Sequence, residues 1–497
     1  MEKEFDYLVV GSGVTGMTIS LLLADCGFRV LLLEKSSVIG GSMQRFWRNG
    51  IPFDTGFHFT AALTGCMGDM VRMLKFSPPL ETIPIRTNLY LADRKKLFHL
   101  PRGRSRVRDY FCSLYPSEAQ KIRAYFEMEK RIFENTPLFN LREDGFAVSG
   151  ALEEDFITLK AYLDSLEVSG EVRSLLASFT SCHGTPCGEI SLANHCRVSF
   201  GLLDDMVRVK GSGGAFVDAF RRRAKELGIE IRTRCTIREC VEEEGLRCHQ
   251  VRLTDGTLVT FRDCVMTIHP HAVAEILPEK FRSSLFLERI REFEEGCGFF
   301  TLFGVLEKPC GSFCQELTSS FSTSDIDLVM TPDHPEATAT GIMLTEETGA
   351  DGALYWTVTA FENVFAPETA EWSGSVTGKR NASYGEYKQR KIRQIERKIY
   401  ELYPEFEGAL RILDSASMLT YRDYLSPYGS AYGIRQKMGQ HNLFGKLPIR
   451  NFYVAGQSAL LPGAMGAMLS AFVIWRKMVG EELYLRKINE VSEGRTE

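Results

Sequence analysis

Short, wholly apolar runs alternate with amphipathic stretches at both ends of the chain. Tyr7-Leu-Val-Val10 is a β-branched apolar run of the kind buried on both faces of a sheet. Residues 17–26 place apolar side chains at helical spacing, and Gly27 supplies the stop. Arg29-Val-Leu-Leu-Leu33 predicts a second strand, which closes on Glu34. Much later, residues 216–227 predict a helix and residues 228–232 a strand that Thr236-Ile237-Arg238 continues; Cys264-Val-Met-Thr-Ile268 predicts a further buried strand. Between these pieces the pattern changes. Residues 105–205 read as mainly helical, with the clearest periods over 117–136 and 156–178. Residues 285–415 hold strand-like runs over 299–306, 341–344 and 353–361, followed by an amphipathic helix over 384–402. Together these predict a mixed sheet roofed by helices. Residues 451–475 carry no charge and are long enough to span a bilayer. Gly456, Gln457, Pro462, Gly463 and Gly466 interrupt that run, so it reads as strand, glycine-rich turn and buried helix.

A chain of 497 residues exceeds what one hydrophobic core serves, so two lobes are expected. Apolar residues at 44% and charged residues at 25% are ordinary globular values, which excludes disorder, collagen and coiled coil as the main architecture. A net charge of −5 gives no broad nucleic-acid surface. Thirteen scattered cysteines, an odd number, point to reduced thiols in the cytoplasm. The start, Met1-Glu-Lys-Glu-Phe-Asp, runs into the first strand with no signal or transit pattern.

The first candidate chemistry lies between the two opening strands: Gly11-Ser-Gly13-Val14-Thr15-Gly16. Strand, G-x-G-x-x-G, helix, strand and acid follow one another in the register of a dinucleotide-binding unit. Gly11 permits the tight turn, Gly13 lets backbone N–H groups approach a pyrophosphate at the helix N-terminus, and Gly16 lets the helix pack close on the sheet. Glu34, 18 residues past Gly16, can accept hydrogen bonds from ribose hydroxyls and would repel a 2′-phosphate. FAD and NAD share this fingerprint.

The next segment separates them. Glu34-Lys35 leads to Gly40-Gly41-Ser42, then to an extended segment ending in Asp54-Thr55-Gly56-Phe57-His58. This pattern resembles the FAD-dependent superfamily that includes the amine oxidases, phytoene desaturases and carotenoid isomerases. In that resemblance the Gly-Gly region lines the pyrophosphate and ribityl chain, the Asp-x-Gly turn meets the flavin ring, and Ile237 offers its backbone to the adenine. The closing motif, Tyr453-Val-Ala-Gly456-Gln457 followed by Pro462-Gly463-Ala-Met465-Gly466-Ala467, narrows the resemblance to the phytoene desaturase, carotenoid isomerase and retinol saturase group. Tyr421-Arg422-Asp423 and Tyr432-Gly433 belong to the same pattern, with the triplet expected as a structural turn. The chain departs from the retinol saturases in reading Gly456-Gln457-Ser458 where they read Gly-Gln-Asp.

The resemblance implies an α/β fold: an FAD-binding Rossmann-like domain of the GR2 type, with an inserted substrate domain of mixed β-sheet plus helices. The expected FAD-binding pieces are residues 1–80, 206–284 and 416–490; the substrate domain takes 81–205 and 285–415. The helix after Gly463 would aim its positive end at the flavin's pyrimidine edge. The expected activity is that of an FAD-dependent oxidoreductase acting on a C–C or C=C bond of a hydrophobic, polyene- or isoprenoid-like substrate: desaturation, saturation or isomerisation. Hydride transfer at the flavin would accompany proton transfer at the neighbouring carbon. An amine or protoporphyrinogen oxidase is the alternative enzyme reading, and a prenyl-binding escort protein the non-enzymatic one.

No second nucleotide motif interrupts the insertions, so electrons would come from substrate, another protein or loosely bound NAD(P)H. His58, two residues past Gly56, is the candidate for proton transfer. Tyr432 is the second candidate, with pocket wall as its plainer role. Cys182, His183, Cys187, His195 and Cys196 offer metal-type side chains, but no CxxC pair, and read as buried structure; no metal is expected. Arg102, Arg104, Arg106 and Arg108, near Lys95, Lys96, Tyr110 and Phe111, form a basic and aromatic cluster suited to peripheral contact with an anionic membrane at the cytoplasmic face.

Overall fold

The computed structural model describes residues 3–143 and 151–493; Met1 and Glu2, the start of the sequence reading, lie outside them. Two large sheets organise the chain. The first has eight strands. Its path runs Glu230–Arg232, Val30–Leu33, Lys3–Val10, Leu258–Met266, Arg247–Leu253, Ile237–Glu244, with Phe452–Val454 branching off Leu258–Met266 and Gly445–Lys446 pairing in turn with Phe452–Val454. The pairings from Glu230–Arg232 across to Phe452–Val454 are parallel. Alternation along these strands sorts the core. Tyr7, Val9, Leu32 and Val265 pack with the helices Val14–Asp25, Ser212–Glu226 and Gly463–Val479. Leu8, Val10, Leu31, Leu33, Cys264 and Met266 pack on the opposite face. The apolar runs of the sequence are thus strands buried on both sides.

The second sheet has seven strands, in the order Leu410–Ala416, Gly298–Leu306, Leu354–Val364, Ala339–Thr348, Glu316–Phe321, Arg86–Leu91, Lys96–Leu100. Its pairings are antiparallel except that of Glu316–Phe321 with Arg86–Leu91. The amphipathic helix Ala382–Leu402 lays Tyr387, Ile395 and Ile399 against Phe300, Leu302, Ile342 and Val358. The other face meets the helices Arg104–Leu114, Ala119–Glu134 and Leu192–Asp204.

Four expectations need correction. Thr236–Arg238 does not continue the strand before it. Glu230–Arg232 pairs with Val30–Leu33, whereas Ile237–Glu244 starts an antiparallel meander at the other end of the same sheet. Arg234, at φ +53°, turns the chain between them. The helix expected over 156–178 is two helices, Leu159–Leu166 and Gly170–Leu176; Glu167 ends the first at φ +49° and the Ser169 hydroxyl caps the second. Tyr421-Arg422-Asp423 lies in the short helix Met418–Tyr424, not in a turn. The basic cluster is dispersed: Arg104 is buried on Glu129, Arg102 pairs with Asp205, and Phe111 lies in the core. Among the described residues no helix is long and apolar enough to cross a membrane, and the uncharged run around Gly463 is buried helix.

Candidate functional site

One cavity of about 720 Å³ runs from the glycine motif to the second sheet. At its nucleotide end the glycines divide by function. A Cβ on Gly16 would lie 1.9 Å from the Gly11 carbonyl oxygen, so this position closes helix against sheet. A Cβ on Gly13 would meet nothing within 4 Å. Gly13 therefore leaves open space in the cradle rather than filling a packing contact. Gly11 holds φ +98°, and its missing side chain makes room for Thr267 and Ile268. The helices Val14–Asp25 and Gly463–Val479 both begin at this cavity without a side-chain cap or an acid in the first turn. Thr15 Oγ1 donates to the Ala467 carbonyl at 3.0 Å and ties the two helix starts together. Two uncapped helix N-termini, converging on one open cradle, suit a pyrophosphate-bearing ligand.

Glu34 is buried at this end. Its Oε2 accepts from Ser12 N at 3.1 Å and Ser12 Oγ at 2.6 Å, and its Oε1 from Ser36 N at 2.8 Å. A carboxylate has about four lone-pair sites, so capacity for a ribose hydroxyl remains. Lys35, Gly41, Ser42, Gly56, Phe57, Ile237, Gly456, Gln457, Gly463, Met465 and Gly466 also line the cavity, as do Gly11, Val14 and Ala467. Gly16, Gly40 and Thr55 do not. Gly40 donates to Ser12 O at 3.0 Å, and Thr55 Oγ1 donates to the Gln44 carbonyl at 2.9 Å; both shape the turn from behind. Gln457 Nε2 donates to the Ala431 carbonyl at 3.2 Å, fastening the segment that carries Tyr432.

At the far end His58 lies flat on Phe361, with ring centroids 4.8 Å apart and planes within 5°. Gly341 makes this possible, because a Cβ there would come within 2.4 Å of the Phe361 ring. Beneath His58 sits a closed box of buried charges. Arg208 contacts Asp54 at 2.7 Å and Glu347 at 2.6 Å; Arg45 contacts the same two carboxylates at 2.8 and 2.7 Å. Arg208 also donates to the His58 carbonyl at 3.0 Å. Burial works against the Asp54 carboxylate, but Arg208 and Arg45 hold it below its usual range. Burial pushes the His58 imidazole down to about 4, against the pull of Asp54 3.9 Å away and aided by Arg208 and Arg45. His58 is therefore neutral at neutral pH. Tyr432, by contrast, donates its hydroxyl to the Ser181 carbonyl at 3.1 Å and presents its ring edge-on to Phe299.

The metal-type segment is closed on itself. Thr185 N donates to His183 Nδ1 at 3.2 Å, His183 Nε2 meets His195 Nδ1 at 3.0 Å, and His195 Nε2 meets the Tyr125 hydroxyl at 3.1 Å. Tyr125 then donates to the Leu176 carbonyl at 3.0 Å. Every ring nitrogen is used, and all thirteen cysteines are free thiols. Sequence reading missed a second group, of which His269 borders the cavity. His269, His271 and Glu295 bring ligand-type atoms within 4.8 Å of one another. His269 Nδ1 accepts from His271 N at 3.4 Å, which leaves the hydrogen on Nε2, 3.1 Å from Glu295 Oε1. Its signal was the His-Pro-His run that opens the helix Pro270–Ile276. Ser12, a variable position inside the glycine motif, was also missed, as were Arg208, Phe299 and Phe361, which no local motif marks.

Comparison with known proteins agrees with this geometry. Residues 9–74 match the model of the NAD(P)-binding Rossmann-like domain. The chain is 20% identical to an all-trans-retinol 13,14-reductase of Danio rerio, over 97% of this chain and 87% of that protein. It is 32% identical to the chloroplastic prolycopene isomerase 2 of an Oncidium hybrid cultivar, over 28% of this chain and 24% of that one. Along its length the chain is similar to the retinol reductases, and over shorter stretches to the prolycopene isomerases and a diapolycopene oxygenase. It is an enzyme of the oxidoreductase class. Its fold also matches the structure of putrescine oxidase bound to putrescine, with a TM-score of 0.67 at 13% identity, covering 96% of this chain and all of that one.

Proposed function

We propose that the chain uses FAD to introduce, remove or rearrange a carbon–carbon double bond in a hydrophobic, polyene- or isoprenoid-like substrate. One observation carries the reading: a single cavity joins an open dinucleotide cradle to an aromatic end walled by Phe59, Phe299, Phe361 and Tyr432. The similarity to a retinol reductase along 97% of the chain supports it. Gly13, Glu34, Gly41, Gly456 and the first turn after Pro462 would hold the cofactor, and Ile237 would sit at its adenine. When bound, FAD supplies the hydride-transfer chemistry. The chain's residues do the rest. The rings exclude water and hold an extended apolar molecule. Neutral His58, fixed against Phe361, is the group placed to accept a proton or donate its N–H. Tyr432 serves as wall, its hydroxyl being spent on Ser181.

With one nucleotide cradle among the described residues, a donor such as NAD(P)H would come and go at the cavity mouth. A lipid substrate also needs a loading route. Tyr424, 58% exposed, stands beside Leu425 and Pro427 at this mouth and is a natural point of contact with a membrane surface.

The test is an anaerobic screen of the FAD-loaded protein against polyenes, isoprenoids and primary amines, read by the visible absorbance of the flavin. A polyene or isoprenoid should bleach or recolour it. A response confined to amines, with peroxide formed on admitting air, would replace this reading with an amine oxidase.

A further inference from the structure

Behind the aromatic wall lies a smaller chamber of about 30 Å³. Phe59, Cys182, Phe299, Phe361 and Tyr432 line both this chamber and the main cavity, so they form the partition between them. Its floor is the second sheet. Thr87 and Leu89, Leu317 and Ser319, and Ala339 and Gly341 are alternate residues on three adjacent strands, and paired register puts all of them on one face. The two faces of these strands treat polar groups differently. On the opposite face Asn88 Nδ2 donates to Thr318 Oγ1 at 3.0 Å, Thr318 meets the Tyr403 hydroxyl at 2.7 Å, and Tyr403 reaches Glu316 at 2.9 Å. On the chamber face the Ser319 hydroxyl has no hydrogen-bond partner among the described residues. Thr87 Oγ1 has a contact of 3.9 Å to the Met206 sulfur, a weak acceptor. Ser319 is half-buried, and its unpaired hydroxyl on the chamber face is free to bond a polar group that enters this space. The space admits about two water-sized groups, which is the size of one chain terminus rather than a ring.

We propose that this chamber receives the leading end of the substrate, and that Ser319 is a specificity-determining residue selecting an end that carries a hydroxyl or carbonyl oxygen over a purely hydrocarbon end. The inference rests on the hydrophobic-substrate reading above and adds the polarity and place of one terminus. Thr87 supports the same contact from the neighbouring strand. Gly341 is part of the device, because it lets Phe361 lie flat as the partition.

The experiment titrates the FAD-loaded full chain with geranylgeraniol and with the hydrocarbon of the same skeleton that lacks the hydroxyl, following the perturbation of the flavin spectrum. One hydrogen bond is worth about a three- to ten-fold preference for the alcohol. Ser319→Ala should erase that preference by weakening the alcohol alone, and Thr87→Val, which keeps the shape, should reduce it by a smaller factor. The ratio of the two affinities is the readout, since general damage to the fold lowers both together. A ratio unchanged between wild type and Ser319→Ala overturns the chamber and leaves the hydrophobic-substrate reading standing. If neither compound perturbs the flavin, both are overturned.

Discussion

Two buried histidine sites in this chain look alike by charge and differ in every other respect. His58 and the His183–His195 pair are all enclosed, and burial drives all three imidazoles below their ordinary range: His58 to about 4, His195 to about 3, and His183 well down, with His195 adding to the effect. Yet each ring nitrogen of the pair already has a partner, and their chain of contacts ends on the Leu176 carbonyl. His58 instead borders the cavity, stacks on a ring that borders it too, and has a carboxylate no closer than 3.9 Å. A perturbed titration is shared by structural and working groups. Free bonding capacity facing a cavity is the feature on which the proposed role of His58 rests.

The difference can be attacked at four points. Arg208→Met strikes the His58 side hardest, because it leaves two buried carboxylates to share Arg45. Removing one partner from such a box costs about 3–5 kcal/mol, and denaturant unfolding of the variant measures it. His58→Gln should keep the flavin spectrum while lowering kcat about 100-fold or more, the usual size of a proton-transfer contribution; a loss of under about 3-fold would assign His58 to packing.

Stability against pH comes next. The folded chain keeps these histidines neutral while the unfolded chain protonates them near about 6.5, so stability falls as pH drops from there towards 4. Between pH 7 and pH 5 His58 and His195 should each cost about 2 kcal/mol, and His58→Gln should remove one such share from the slope of unfolding free energy against pH. Smallest is His195→Gln. It should lower stability by about 1–2 kcal/mol through lost buried hydrogen bonds and leave the pH profile of kcat where it was.

The nucleotide end was legible because its parts are neighbours in the chain. Gly11, Gly13 and Gly16 with their flanking strands announce a turn whose geometry depends on local residues alone. The C-terminal Gly456 and Gly463 region was legible for the same reason. The aromatic wall was not, since Phe59, Phe299 and Phe361 come from three segments that meet across the cavity. Arg45, Asp54, Arg208 and Glu347 sit on four different strands, and each looks like a solvated charge when read alone. Thr236–Arg238 was misplaced because a strand's pattern does not say which neighbour it pairs with. The break at Glu167 was hidden because apolar spacing on either side keeps the helical period.

The nucleotide cradle bears the whole functional reading, and the contrast between Gly13 and Gly16 tests it most directly. The measurement is the flavin content of purified protein, by visible spectrum and by FAD released on denaturation, for wild type, Gly13→Val and Gly16→Val. One FAD per chain is expected in wild type. Gly13→Val should carry no flavin yet unfold at the temperature of wild type stripped of its flavin, whereas Gly16→Val, colliding with the Gly11 carbonyl, should fail to fold. A colourless wild type that takes up no added FAD, or a Gly13→Val variant with full flavin content, would contradict the assignment.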